Sequence, residues 1–206
     1  MKFFIKVLLP IIAILTLTAC SDDITLPTEG KQYSVIPTPM QEERAVVEIF
    51  SLACDHCRAM EDVIPTLEEM TELEFGKEHV TFNESAQRGA YLYYTAQIQM
   101  PTVPEQALVK DMFAFMQDSS VDQTAEDKRK QLVKLYANYD LTNPMALDDS
   151  ENEKVYQQMV AAEAFVANTG LSSVPAFLVK GKYLVDASSH DTIEELAETI
   201  NYLNKK

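Results

Sequence analysis

Residues 45–57 read Ala-Val-Val-Glu-Ile-Phe-Ser-Leu-Ala-Cys-Asp-His-Cys, an apolar, β-branched run that delivers two cysteines in Cys-x-x-Cys spacing. Ala45 to Leu52 predicts a buried strand despite Glu48. From Cys57 onward Met60, Ile64, Leu67 and Met70 recur at three- and four-residue intervals, which predicts an amphipathic helix. Arg58, Glu61, Asp62, Glu68 and Glu69 fall on its polar face. Pro65 removes one helical hydrogen bond and predicts a kink. Cys54 is therefore placed at a helix N-terminus, where unpaired amides and the macrodipole favour a thiolate.

The third cysteine, Cys20, belongs to another feature. Lys2 and Lys6 precede an apolar run from Val7 to Leu17, the layout of a secretory signal and too short for a comfortable membrane span of about 20 residues. The run ends in Leu17-Thr18-Ala19-Cys20, which resembles a bacterial lipobox. That resemblance implies cleavage before Cys20 and a diacylglycerol on its thiol. Losing Lys2 and Lys6 takes the formal net charge from −15 to −17. So acidic a body gains nothing from anionic lipid, and attachment is expected through the acyl chains alone. Ser21 to Lys31, polar and holding Pro27 and Gly30, suits a tether.

Once Cys20 is set aside, Cys54 and Cys57 form a lone pair. A zinc ribbon needs a second such pair, and no metal site is expected. A short, local pair in an oxidising compartment reads as a redox couple rather than a framework disulfide. Composition agrees by exclusion. The chain has 206 residues, 47% hydrophobic and 24% charged, so it reads as globular. With Lys plus Arg at 17 against Asp plus Glu at 32 it lacks the basic face that nucleic acid requires. Its five glycines lie too far apart for the dinucleotide or phosphate-loop fingerprints, and no cofactor is expected.

Elsewhere, Gln32 to Ile36 predicts a first strand and Val80 to Asn83 a short third one. Helices are predicted around Tyr91 and Tyr94, around Leu108, Met112 and Phe115, and around Leu132, Leu135, Tyr136 and Tyr139. Ser150-x-x-Glu153 resembles a capping box for a further helix that stops at Gly170. Ala176–Val179 and Tyr183–Val185 flank Lys180-Gly181-Lys182 as a hairpin, and Ile193 to Leu203 line a last helix. The plan is an α/β fold with a helical insertion. The boundaries are a signal peptide over 1–19, a tether over 20–30, the α/β domain over 31–83 and 151–206, and the insertion over 84–150.

Two segments carry a family resemblance: Val47 to Cys57, and Val174-Pro175-Ala176-Phe177-Leu178-Val179-Lys180-Gly181-Lys182-Tyr183. With the order of elements, they resemble the DsbA-type branch of the thioredoxin superfamily. The resemblance implies a thioredoxin fold interrupted by an α-helical domain, and a thiol–disulfide oxidoreductase that oxidises cysteines of exported proteins. It implies Cys54 as the nucleophile and Cys57 as the buried resolving thiol, with His56 supporting the thiolate. It also implies a cis bond at Val174-Pro175, whose backbone pairs with substrate, and a buried proton-relaying acid at Glu48. Relatives often pair that acid with a lysine on the neighbouring strand, and Val80 to Asn83 offers none. One departure is Asp55, where the commonest motif has proline; its charge beside Cys54 disfavours the thiolate and predicts a weaker oxidant.

The implied partners are reduced exported proteins, a membrane quinone-linked reoxidase or other redox partner, and the membrane through the Cys20 lipid, facing the periplasm or cell exterior. A reductase or isomerase on the same fold is the first alternative. The second is a metal-handling, non-enzymatic lipoprotein using Cys54, Cys57 and His56, against which the two-residue spacing counts. His79 and His190 lack companions at ligand spacing and are expected in surface or hairpin roles, while Tyr91, Tyr93 and Tyr94 are expected in a helix core.

Overall fold

A computed structural model describes residues 26–118 and 123–206. Cys20 and the signal peptide expected over 1–19 lie outside the described residues. A five-stranded sheet has the order β1 (Tyr33–Val35), β5 (Tyr183–Asp186), β4 (Ala176–Val179), β2 (Val46–Phe50) and β3 (Phe75–His79). Only β2 and β3 run parallel, and the helix that joins them is α1 (Asp55–Thr71). Between β3 and β4 come α2 (Glu84–Gln97), α3 (Gln106–Gln117), α4 (Ala125–Ala137) and α5 (Asp149–Thr169), and α6 (Ile193–Lys205) follows the hairpin. This is a thioredoxin fold with a helical insertion, as expected.

Each sheet face has its own cover, because side chains alternate along a strand. Val46, Phe177, Val179 and Val185 pack under Ile64 and Leu67 of α1 and Leu196, Ile200 and Leu203 of α6. Val47, Ile49 and Leu178 face the other way, against Phe165 and Val166 of α5. Phe50 and Leu52 leave the strand end and enter the core of the insertion beside Tyr93, Met112, Phe113 and Tyr136. The C-terminal end of β2 is thereby packed against the helical insertion. The hairpin turns at Lys180 and Gly181, both at positive φ as a type I′ turn demands. A Cβ at Gly181 would lie 1.9 Å from the Met40 carbonyl oxygen, so glycine is required there.

Three sequence expectations need correction. The third strand is Phe75–His79 rather than Val80–Asn83. Its Gly-Lys-Glu-His content hides it from a pattern based on apolar alternation, yet pairing with β2 from Val46↔Phe75 to Phe50↔His79 makes it a strand. The buried face of α1 is Cys57, Glu61, Ile64, Leu67 and Thr71, with Met70 exposed, so Glu61 belongs to the interior. The cap of α5 is Asp148 with Glu151, two residues before the expected pair. Asp148 accepts from the Glu151 amide, and Glu151 accepts from the Asp148 amide. The α1 helix runs through Pro65 to Thr71, and α5 ends at Gly170 in the left-handed conformation.

Candidate functional site

The chain leaves β2 at Ser51 and turns once before α1. Cys54 N–H donates to the Ser51 carbonyl at 3.0 Å, and the Ala53 amide donates to Ser51 Oγ at 3.2 Å. This turn sets Cys54 as the N-cap of α1, with φ −108° and ψ 118°, and Cys54 Sγ accepts the Cys57 amide at 3.1 Å. Sulfur thus takes the place that a serine or aspartate oxygen usually fills at a helix start. Cys54 is half-buried and Cys57 fully buried, both as free thiols.

The two thiols are driven apart in acidity. Cys54 is lowered to about 6, chiefly by the hydrogen bond from the Cys57 thiol. Burial opposes that shift, while the Cys57 and His56 amides and the His56 charge add to it. Cys57 is pushed far above the ordinary thiol range by donating that same hydrogen bond, by burial and by the negative charges of Cys54 and Glu48. At neutral pH one sulfur is an accessible thiolate and its neighbour a buried thiol.

Val174-Pro175 is a cis peptide, and the Val174 carbonyl oxygen lies 3.6 Å from Cys54 Sγ. A backbone acceptor therefore flanks the sulfur, on a segment 120 residues away in sequence. Asp55 and His56 are both exposed on the first turn of α1. The structure brings Cys54, Cys57, His56, Val174 and Pro175 to one end of the sheet.

Glu48 is fully buried in the middle of β2, and the lysine absent from the expected strand exists. Lys77 stands opposite Glu48 on β3 and donates to its carboxylate. The same ammonium donates to Glu61 Oε2 of α1 at 2.6 Å, so one cation lies between two buried carboxylates. Burial raises Glu61 to about 7, helped by the Glu48 charge and opposed by Lys77. Glu48 and Glu61 each keep one oxygen without a partner among the described residues. A cavity of about 440 Å³, lined by Glu61 and Lys77 together with Pro65, Phe75 and Pro104, opens beside them. Glu61 can therefore hold or release a proton near neutral pH, and the Glu48 charge is one of the causes that raise the Cys57 thiol.

His79 is also misjudged by sequence reasoning. It is fully buried, and Leu52 N–H donates to Nε2 at 2.8 Å while Nδ1–H donates to the Val80 carbonyl at 2.7 Å. Burial holds its pKa at about 3, so the ring is neutral and its tautomer is set by the two bonds. Gly89 of α2 makes room for it, since a Cβ there would lie 2.9 Å from Nε2 and 3.2 Å from the Leu52 Cβ. The signal available in sequence was the period-two set Phe75, Lys77 and His79, which lies on one face once β3 is recognised. His190 bridges the Asp186 carbonyl and Thr199 Oγ1 next to the hairpin, while Tyr93 and Tyr94 are core residues of α2. Among the described residues no group of three His, Cys, Asp or Glu side chains is arranged to hold a metal ion. No helix among them is long and apolar enough to cross a membrane.

Residues 42–201 match a family model described as Thioredoxin. The thiol:disulfide interchange protein DsbA of Salmonella typhimurium is 28% identical over 191 residues, spanning 87% of this chain and 89% of the relative. Among solved structures, Pseudomonas aeruginosa DsbA superposes with a TM-score of 0.67 at 21% identity, covering 90% of this chain and 95% of that one. Proteus mirabilis DsbA in complex with a non-covalently bound peptide superposes with a TM-score of 0.60 at 18% identity, covering 88% and 100%.

Proposed function

This chain belongs to the thioredoxin family and is a DsbA-like thiol:disulfide oxidoreductase, and from that premise we propose that it oxidises cysteine pairs of exported proteins through a Cys54–Cys57 disulfide. The observation that carries the direction is the N-cap sulfur of Cys54, held acidic by the Cys57 thiol and the first amides of α1. Stabilising that thiolate stabilises the dithiol form, so the disulfide form gives up its bond readily.

The exchange runs in two displacements. A substrate thiolate attacks Cys54 Sγ, the Cys54–Cys57 bond breaks, and Cys57 leaves with the electron pair. Its high proton affinity draws a proton from the Glu48–Lys77–Glu61 cluster, which the neighbouring cavity connects to solvent. The second substrate thiolate then attacks the substrate sulfur of the mixed disulfide and expels Cys54 as its stable thiolate. Two electrons pass from substrate to protein, and a quinone-linked membrane reoxidase or another electron acceptor of that class restores the disulfide. During the first step the Val174 backbone, fixed beside Cys54 by the cis bond, pairs with an extended substrate strand. The bound peptide of the Proteus mirabilis relative supports a polypeptide as the ligand.

Mixing the disulfide form with a peptide carrying two free thiols is expected to give the peptide disulfide in one-to-one yield. Equilibration with glutathione buffers is expected to give a potential well above that of a reductant such as thioredoxin, about −270 mV. A potential at or below that value would reverse the assigned direction and leave a reductase.

The protein is anchored outside the cytoplasm by acylation of Cys20, a reading supported by Leu17-Thr18-Ala19-Cys20. Cys20→Ser is expected to move the protein from the membrane fraction to the soluble one with its peptide-oxidation rate unchanged. Fatty-acid label remaining on the variant would refute the anchor.

A further inference from the structure

The helical insertion reaches the reactive cysteine through one neutral side chain. Gln117 is the last residue of α3 and half-buried, and its Nε2 donates to the Leu52 carbonyl at 2.9 Å and to the Cys54 carbonyl at 3.2 Å. A carboxamide nitrogen has two hydrogens, so one group can serve both acceptors. The next residue, Asp118, pairs with Arg58 of α1 at 2.5 and 2.9 Å, but that pair is exposed to solvent and contributes little by itself.

The geometry of Cys54 depends on how its turn is held. Its sulfur reaches the Cys57 amide only while the Cys54 backbone stays extended and the next residue is already helical. The Leu52 amide is tied to His79, the Cys54 amide to Ser51, and the carbonyls of Leu52 and Cys54 to Gln117. Without Gln117 the Leu52 carbonyl has no other donor among the described residues, and among them the Cys54 carbonyl keeps only the Arg58 amide at 3.1 Å. The Leu52 carbonyl dipole would then be free to rotate toward the thiolate or toward water, and the Cys54 carbonyl would be held by one bond instead of two.

We propose that Gln117 is a positioning residue. By tying the Leu52 and Cys54 carbonyls to α3, it holds Cys54 in the extended N-cap conformation that stabilises its thiolate. The helical insertion thereby tunes the acidity of the reactive sulfur. This rests on the reading of Cys54 as the attacking thiol.

The test titrates Cys54 in the reduced full-length protein by thiolate absorbance near 240 nm, a measurement that needs no substrate. Gln117→Met keeps the length and removes the donors; Gln117→Glu keeps the shape and sets a carboxylate against the two carbonyls. Gln117→Met is expected to raise the Cys54 pKa by about half a unit, a roughly threefold smaller thiolate-to-thiol ratio, and Gln117→Glu by more. In glutathione buffers the threefold change corresponds to about 15 mV toward a more reducing couple. Asp118→Asn, which weakens the same joint without touching the turn, is expected not to raise the pKa. Titration of Cys54 in Gln117→Met and Gln117→Glu at the parent value would overturn the proposal even if their urea stability fell. An equal rise in Asp118→Asn would also overturn it, by showing a general loosening of the joint. Either failure leaves peptide oxidation by the parent protein, and hence the reading of Cys54, untouched.

Discussion

Lys77→Met is expected to destabilise the protein by about 3–5 kcal/mol at neutral pH, as removing one member of a buried ionic cluster generally does. The loss comes less from missing attraction than from two carboxylates, Glu48 and Glu61, left buried without a counter-ion. Its pH dependence has a defined sign. Glu61 is raised from its ordinary 4.5 to about 7 in the folded protein, so its protonation favours folding. That contribution is full below about 4.5 and is lost as pH rises through about 7. Lys77 opposes the elevation of Glu61, so without it Glu61 holds its proton still more tightly, and the cost of the substitution should be small at pH 5 and large at pH 8. Changing Glu48 and Glu61 to Gln in the same protein should recover most of the stability, because the remaining groups are neutral and close to isosteric. Urea unfolding at the two pH values measures this. An equal loss at pH 5 and pH 8 would show that the cluster carries no buried charge.

The second large effect divides the cysteine pair. Cys54→Ser is expected to abolish peptide oxidation, because no other accessible sulfur lies at the helix start. In Cys57→Ala the Cys54 thiolate should still attack a disulfide-bonded peptide, releasing one peptide thiolate, but should stall as a mixed disulfide, visible as a mass adduct that reductant removes. The same variant loses the largest contribution to Cys54 acidity, so half-maximal alkylation should move upward from about pH 6. The acidity also links to stability. Cys54 is depressed from 9.0 to about 6, so the stabilisation of the dithiol form is full above about pH 9 and is lost as pH falls through about 6. After discounting for partial solvent exposure, about 1 kcal/mol at pH 7 is expected, with the dithiol form unfolding at higher urea than the disulfide form. First modification of Cys57 at mildly acidic pH would defeat the assignment.

The elements legible in the sequence were those whose causes are local. A β-branched run ended by Ser51 makes β2, and Lys180-Gly181 makes the hairpin turn. Gly170 ends α5, and the spacing of Ile64 and Leu67 makes a helix of which Cys54 is the cap. Helix capping, turn conformation and side-chain periodicity act over a few residues, so a reader of the chain can recover them. The acidity of Cys54 follows in direction from the same local facts, since the amides that stabilise it belong to the next three residues.

What the tertiary structure decided is the fate of polar side chains. Lys77, Glu61 and His79 look like surface residues by type, and each is buried. Their partners lie 16 to 29 residues away: Glu61 from Lys77, Leu52 from His79 and Glu48 from Lys77. The Gln117 contact with Cys54 spans 63 residues, and the Val174 contact 120. A charged or amide group enters a protein interior only when its hydrogen-bonding and ionic partners are already there. No window of sequence around such a residue contains those partners. Its burial is a property of the pair, and the pair exists only once β3 lies against β2 and the insertion closes over the end of the sheet.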